Sequence, residues 1–180
     1  MSSITFARLS DENFTPNSMD EFLRYQKITQ AYKKIGNEYI LTDANIVFDW
    51  DLEKRRGIAR LIIRTLNNGG FAFGAFEGTR TVGYILASGQ RFGSTEQYIE
   101  ISLFHVSAHH RRMGIGKNLF LLACEEAKNL GAQKLYISSG NAKETQDAYR
   151  RLGCIPAQEI NPEATERAPD DIQLEYHLNI

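Results

Sequence analysis

Phe104-His105-Val106-Ser107-Ala108-His109-His110-Arg111-Arg112-Met113-Gly114-Ile115-Gly116-Lys117-Asn118-Leu119-Phe120 passes from an apolar run through a basic, glycine-bearing turn into a run with helical spacing. That order reads as a strand, a tight loop and a helix N-terminus. The first amides of a helix lack intrahelical acceptors, and the macrodipole is positive at the same end, so such a turn is suited to phosphate. Gly114 and Gly116 allow close backbone approach. Arg111, Arg112 and Lys117 add positive charge beside those amides, which suits a ligand with several phosphate oxygens.

Working outward, the chain reads in order as follows. Ile4 to Leu9 alternates apolar and polar residues, as a short strand does, and Asp11-Glu12-Asn13 and Pro16-Asn17-Ser18 punctuate it as loop. From Met19 to Ile35 the residues Phe22, Leu23, Tyr25, Ile28, Tyr32 and Ile35 recur at roughly helical spacing, with Gly36 as a stop, and predict one amphipathic helix. Asn37 to Val47 reads as loop or a short extended piece. Asp49 or Asp51 can cap a second helix through Leu52, Ile58, Leu61, Ile62 and Leu66, closed by Asn67-Asn68-Gly69-Gly70.

Phe71 to Phe76 and Thr81 to Ala87 are aromatic and β-branched runs around the turn Glu77-Gly78-Thr79-Arg80, and a turn at Gly93-Ser94-Thr95 feeds a third strand, Gln97 to Val106. Ile115, Leu119, Leu122, Cys124, Ala127 and Leu130 trace a helix face that Gly131 ends. Lys134 to Ser138 is then a strand that should run parallel to the one before the helix. Glu144 to Leu152 is a short helix with Tyr149. Ile155 to Ile160 and Ile172 to Leu178 make a final strand pair across a polar loop, Asn161 to Asp171.

The 180 residues are most simply one domain, 1–180, with 42% hydrophobic and 24% charged residues. A net charge of -1 gives no global field favouring nucleic acid or an anionic membrane, so neither is an expected partner. No segment has the pattern of a signal peptide or approaches the roughly 18 apolar residues of a membrane span, which makes a cytoplasmic location the default. Cys124 and Cys154 read as buried, reduced thiols.

Arg111-Arg112-Met113-Gly114-Ile115-Gly116 resembles the coenzyme A signature of the GNAT superfamily of N-acetyltransferases, [Q/R]-x-x-G-x-[G/A], with Val106 at the family's usual strand end. Ala148-Tyr149-Arg150-Arg151-Leu152-Gly153-Cys154 resembles its second signature, with Cys154 in place of the usual aromatic. The resemblance runs from about Gly70 to Cys154 and implies a mixed α/β (α+β) fold. Six to seven mostly antiparallel strands would be flanked by helices, and a parallel pair would splay after Val106 to hold coenzyme A. Phe104, His105 and Val106 would offer backbone groups to pantetheine, and the Arg111 to Lys117 loop would take the pyrophosphate. The family often has Asn seven residues before its tyrosine; Asn141 lies eight before Tyr149, and Ala142 stands in the expected place.

The resemblance also implies chemistry. An alkylamine with a pKa near ~10.4 must lose a proton before attack, and a thiol with a pKa near ~8.5 leaves more easily when protonated. Glu100 lies where one branch of the family carries a base, six residues before Val106, on the same face as Ser102 and Phe104 if period-2 alternation holds. Many relatives use a water chain instead. Tyr149 matches the family's general acid. Asp43, Asp49, Asp51, Glu53 and Trp50 precede a helix that lines the acceptor side in the family, and predict a wall for a cationic amine. No metal is expected, because His105, His109 and His110 have no carboxylate co-ligand. The implied function is acetyl transfer from acetyl-CoA to a small-molecule amine, with acetylation of a protein or peptide amine, or acyl-CoA sensing without turnover, as alternatives. A homodimer is compatible with all of these.

Overall fold

The computed structural model describes residues 3–36 and 38–178. Its elements in chain order are β1 (Ile4–Arg8), β2 (Tyr25–Ile35), β3 (Glu38–Asp49), α1 (Leu52–Asn67), β4 (Phe71–Glu77), β5 (Arg80–Phe92), β6 (Tyr98–Val106), a 3-10 turn (Ala108–His110), α2 (Ile115–Asn129), β7 (Lys134–Ser139), α3 (Lys143–Leu152), β8 (Ile155–Pro156), α4 (Pro162–Arg167) and β9 (Ile172–His177). A seven-stranded sheet has the order β1-β4-β5-β6-β7-β9-β8 and is antiparallel except between β6 and β7. β2 and β3 form a separate antiparallel ribbon.

The meander from β4 to β6 follows the sequence expectation. Glu77 pairs with Arg80 across a turn in which Gly78 has φ 62°, a value glycine adopts without Cβ strain. The apolar faces of β4 to β7 and α2 close one core around Phe71, Ile85, Ile99, Leu119, Phe120, Leu135 and Ile137. The other face of the sheet packs Phe14, Met19, Phe22, Tyr84 and Leu86 against Ile58 and Ile62 of α1. Cys124 and Cys154 are buried free thiols.

Two expectations fail. The helix predicted over 19–35 is not formed: Met19 and Phe22 are core residues of a turn-rich segment, and β2 starts at Tyr25. Pairing with β3 over nearly the whole length of both strands overrides the apparent helical period. The strand predicted over 155–160 shrinks to Ile155–Pro156, and the predicted loop 161–171 contains α4. Asn161 caps that helix by accepting from the Glu163 N–H at 3.1 Å, and Pro162 occupies its first turn, where no N–H is needed.

Candidate active site

β6 and β7 are hydrogen-bonded neighbours only from Tyr98 opposite Lys134 to Ile101 opposite Ile137. Beyond Ile101, β6 keeps its partner β5 as far as Val106 but has no ladder partner on the β7 side among the described residues. The parallel strands thus part at Ile101, earlier than the expected position after Val106. A bulge accompanies the parting: Leu86 pairs with Leu103 but Ala87 pairs with Ile101, which leaves Ser102 as an extra residue on β6. Such an insertion bends a strand and resets its alternation. Ile99 and Ile101 face the α2 core, and past the bulge Phe104 and Val106 do so. Glu100 therefore shares its face with Leu103 and His105 and not with Phe104, contrary to the simple period-2 expectation.

Backbone groups that line such a gap cost roughly 1–3 kcal/mol each if buried without partners. One of them, the Val106 carbonyl, accepts from Arg111 Nε at 3.2 Å. At the end of the gap the chain makes its 3-10 turn, takes a left-handed conformation at Arg112 (φ 65°) and again at Gly114 (φ 79°), and enters α2. Arg112 is one of two described non-glycine residues with positive φ, a strained conformation that an L side chain holds only where its surroundings impose it. Gly114 is required by its φ and not by space, since an added Cβ would meet only Asn118 Nδ2 at 4.0 Å. Gly116 has neither constraint: a Cβ there would make only ordinary contacts with Phe104 at 3.5 Å and Val106 at 3.7 Å.

No side chain caps α2 and no acidic residue lies in its first turn. Its leading amides, with Arg111, Arg112, Met113 and Lys117 exposed around them, remain open to an anion. Tyr149 sits in α3 with its ring 6.2 Å from that of Phe104, and its hydroxyl makes no hydrogen bond among the described residues. Burial, with smaller contributions from Cys154 and Asp171, pushes its pKa well above the ordinary phenol value, so it carries its proton at neutral pH. Gly153 ends α3 at φ 97°, and the Cys154 N–H returns to the Tyr149 carbonyl at 3.0 Å, which fixes the second signature as a helix with a glycine stop.

Glu100 lies on the opposite face from Tyr149, ion-paired with Arg167 of α4 and largely shielded from solvent. Asn141 is tied down through its backbone. Its carbonyl accepts from the Tyr32 N–H at 2.8 Å beside an Ala31–Ala142 bridge, which fastens the ribbon to the start of α3. It lines a cleft of about 120 Å³ with Tyr32, Lys33 and Lys34.

The expected acidic wall does not form a pocket. Asp51 is occupied as the cap of α1, its carboxylate accepting from the Lys54 N–H at 2.7 Å, and Asp43, Asp49 and Glu53 are exposed. Trp50 instead turns its ring toward His105, edge on at 5.1 Å, and Tyr84 meets the same imidazole at 5.7 Å. Burial, reinforced by Arg24 and Arg111, pushes His105 down to about 3, so this imidazole is neutral at physiological pH. Arg24 and Tyr84 complete the group, and neither was singled out in the sequence. Arg24 fell inside the predicted helix, although the apolar, β-branched run Tyr39-Ile40-Leu41-Thr42 and Ile46-Val47-Phe48 after Gly36 was a strand signal that could have relocated it.

A mixed sheet whose one parallel pair opens onto an uncapped, glycine-led helix, with a partly buried tyrosine at the opening, defines an acyltransferase of the coenzyme A-binding kind. The sequence model of the Acetyltransferase (GNAT) family matches residues 28–154, and the chain belongs to that family. No curated relative matches the sequence. Among solved structures, a nourseothricin acetyltransferase superposes with a TM-score of 0.70 at 14% identity, over 98% of this chain and 99% of that one. The IAA acetyltransferase from Bacillus cereus ATCC 14579 superposes at 0.58 and 20% identity, over 98% and 100%. An aminoglycoside 6'-N-acetyltransferase complexed with coenzyme A superposes at 0.55 and 17%, over 71% and 82%. At these identities the likeness is one of fold. Among the described residues no group of His, Cys, Asp and Glu is arranged to hold a metal, and no helix is long and apolar enough to cross a membrane.

Proposed function

We propose that the protein transfers the acetyl group of acetyl-CoA to the amine of a small molecule. The observation that carries this reading is the uncapped, glycine-led N-terminus of α2 at the mouth of the gap where β6 loses its β7 partner. The edge of β6 at Phe104, His105 and Val106, without a β7 partner among the described residues and held only by Arg111 at the Val106 carbonyl, fits an extended chain of amides, and the amides from Met113 to Lys117 with Arg111 and Arg112 fit a pyrophosphate. Acetyl-CoA supplies an activated thioester carbonyl. Backbone N–H groups near Val106 polarise it, and Tyr149, protonated at neutral pH, donates its proton to the departing sulfur. Glu100 receives the amine proton, directly or through water, from the opposite face of the sheet. Asn141 contributes at the rim of the gap. The names of the superposed proteins, a nourseothricin and an aminoglycoside acetyltransferase among them, support a small-molecule acceptor over a protein.

The test is thiol release from acetyl-CoA across a panel of small amines, peptides and buffer alone. Release that depends on a small amine is expected. Acetyl-CoA binding with no release for any amine would contradict catalysis, and preference for peptides would contradict the small-molecule acceptor.

A further inference from the structure

The face of the sheet that carries His105 contains a cation, Arg24, that no described residue neutralises. Arg24 is half-buried, with its guanidinium carbon 5.8 Å from the Phe48 ring centroid and 5.7 Å from that of Trp50. Nη2 donates to Gln26 Oε1 at 2.9 Å, whereas Nε and Nη1 are buried with no hydrogen-bond partner among the described residues. The Tyr84 hydroxyl is a second buried orphan beside it. The acids nearby in sequence are committed elsewhere: the Asp20 carboxylate to Arg56, Glu21 to Arg80, and Asp51 to the α1 cap. The charge that does act on Arg24 is a like one, Arg111, which with burial lowers its pKa. A desolvated guanidinium next to another, with two unmatched donors, is an arrangement that an anion would complete, because a carboxylate matches the planar fork.

We propose that the acceptor is an amine that also carries a carboxylate, a compact amino-acid-like molecule, and that Arg24 binds this carboxylate between Phe48 and Trp50 with the Tyr84 hydroxyl. The inference rests on the acetyltransferase reading for its reaction and deepens it. The neutral His105 lies against both Trp50 and Tyr84, one residue before Val106 on β6, so an anion held here sits beside the strand end where the thioester is placed. This replaces the cationic acceptor that the acidic run 43–53 suggested. An anionic phosphate of the cofactor is the other possible source of the same chemistry, and the test separates them.

Trp50 is the only tryptophan and stacks on Arg24, so its fluorescence reports occupancy without turnover. The protein with saturating coenzyme A is titrated with amino acids and their decarboxylated amines as matched pairs: alanine with ethylamine, lysine with cadaverine, phenylalanine with phenethylamine. Acid-bearing members are expected to perturb Trp50 and to bind at least about 10-fold tighter than their partners in at least one pair, as expected for a charge-assisted contact. Arg24→Met should erase that preference and leave the coenzyme A dissociation constant unchanged, and Arg24→Lys should keep part of it. The Lys variant and Tyr84→Phe carry the test if Met at position 24 impairs folding. Equal or tighter binding of the decarboxylated amines overturns the proposal. So does a loss confined to coenzyme A affinity, which would assign the anion to the cofactor. Thiol release is followed in the same solutions, so that carboxylate-dependent binding without release contradicts the reaction and leaves the subsite standing.

Discussion

The stretch from β4 to α3 and the ribbon β2–β3 are built from similar proportions of apolar residues, yet only in the first does the sequence pattern predict the order and type of the elements. In the central sheet each strand is pressed between two layers, so Phe71, Ile85, Ile99 and Leu135 are sealed and their spacing is legible. The ribbon pairs with itself and is fastened to the rest of the protein mainly along one side of β2, by Ile28 and Ala31 against Ala142 and by Tyr32 against the main core, while Ile46, Val47 and Phe48 are 44%, 52% and 45% exposed. Periodicity reports burial, and a two-stranded ribbon buries too little for its period to show. The division also falls between the two halves of the proposed chemistry. The proposed cofactor end lies on the legible part, and Arg24, beside the start of β2, lies on the other.

The contrast in burial places the largest effect on stability in the central core. Leu119→Ala, at a fully buried position, should cost about 2–5 kcal/mol in denaturant unfolding. A loss below about 1 kcal/mol would mean that the two regions are not packed differently. Tyr149→Phe sharpens the comparison on the chemical side. Turnover should fall roughly 10- to 1000-fold with the acetyl-CoA dissociation constant nearly intact, because a general acid acts on the transition state.

A smaller effect is expected from pH, through a carboxylate that the central sheet encloses. Burial works against ionisation of Glu175, but hydrogen bonds from Tyr98 (2.5 Å), Lys134 (2.9 Å), the Gln158 N–H (3.1 Å) and His177 outweigh it and hold the group down to about 2. A folded-state pKa below the unfolded one adds stability that is present above about 4.5 and lost as pH falls toward about 2. Unfolding free energy should drop in that window by up to about 1.4 kcal/mol per pH unit from this group, and Glu175→Gln should remove that part of the slope. An unchanged slope in the variant would show that other carboxylates govern acid unfolding. The smallest effect belongs to the ribbon: Ile46→Ala should stay within about 0.5 kcal/mol of the parent. A cost near that of Leu119→Ala would show that something covers this strand in solution.

These differences account for what the sequence disclosed. The glycines at 78, 114, 131 and 153 were legible as turn or helix-end positions because their positive φ has a residue-level signature. Tyr149 and the 111–117 loop were singled out by their likeness to the two family signatures, which are anchored on those glycines. In β2 the inward positions Gln26, Ile28 and Gln30 alternate polar and apolar residues along one face, which hides a period of two behind an accidental helical one. The face of Glu100 was not legible because one inserted residue, Ser102, resets β6, and a bulge of that kind follows from pairing with β5 rather than from local residue type. Arg24 was hidden for a related reason. Its role follows from what fails to pair with it, which only the folded arrangement shows.

The central claim is that the start of α2 binds the cofactor through open amides. Calorimetric titration of acetyl-CoA into the wild-type protein, Gly114→Ala and Gly114→Asp tests it most directly, since the alanine carries the backbone strain at φ 79° without the charge. Low-millimolar or tighter binding is expected for the wild type and modest weakening for alanine, whereas aspartate should weaken binding by about 100-fold or more through like-charge juxtaposition. Equal affinity for the wild type and the aspartate variant, with both folded, would contradict the account.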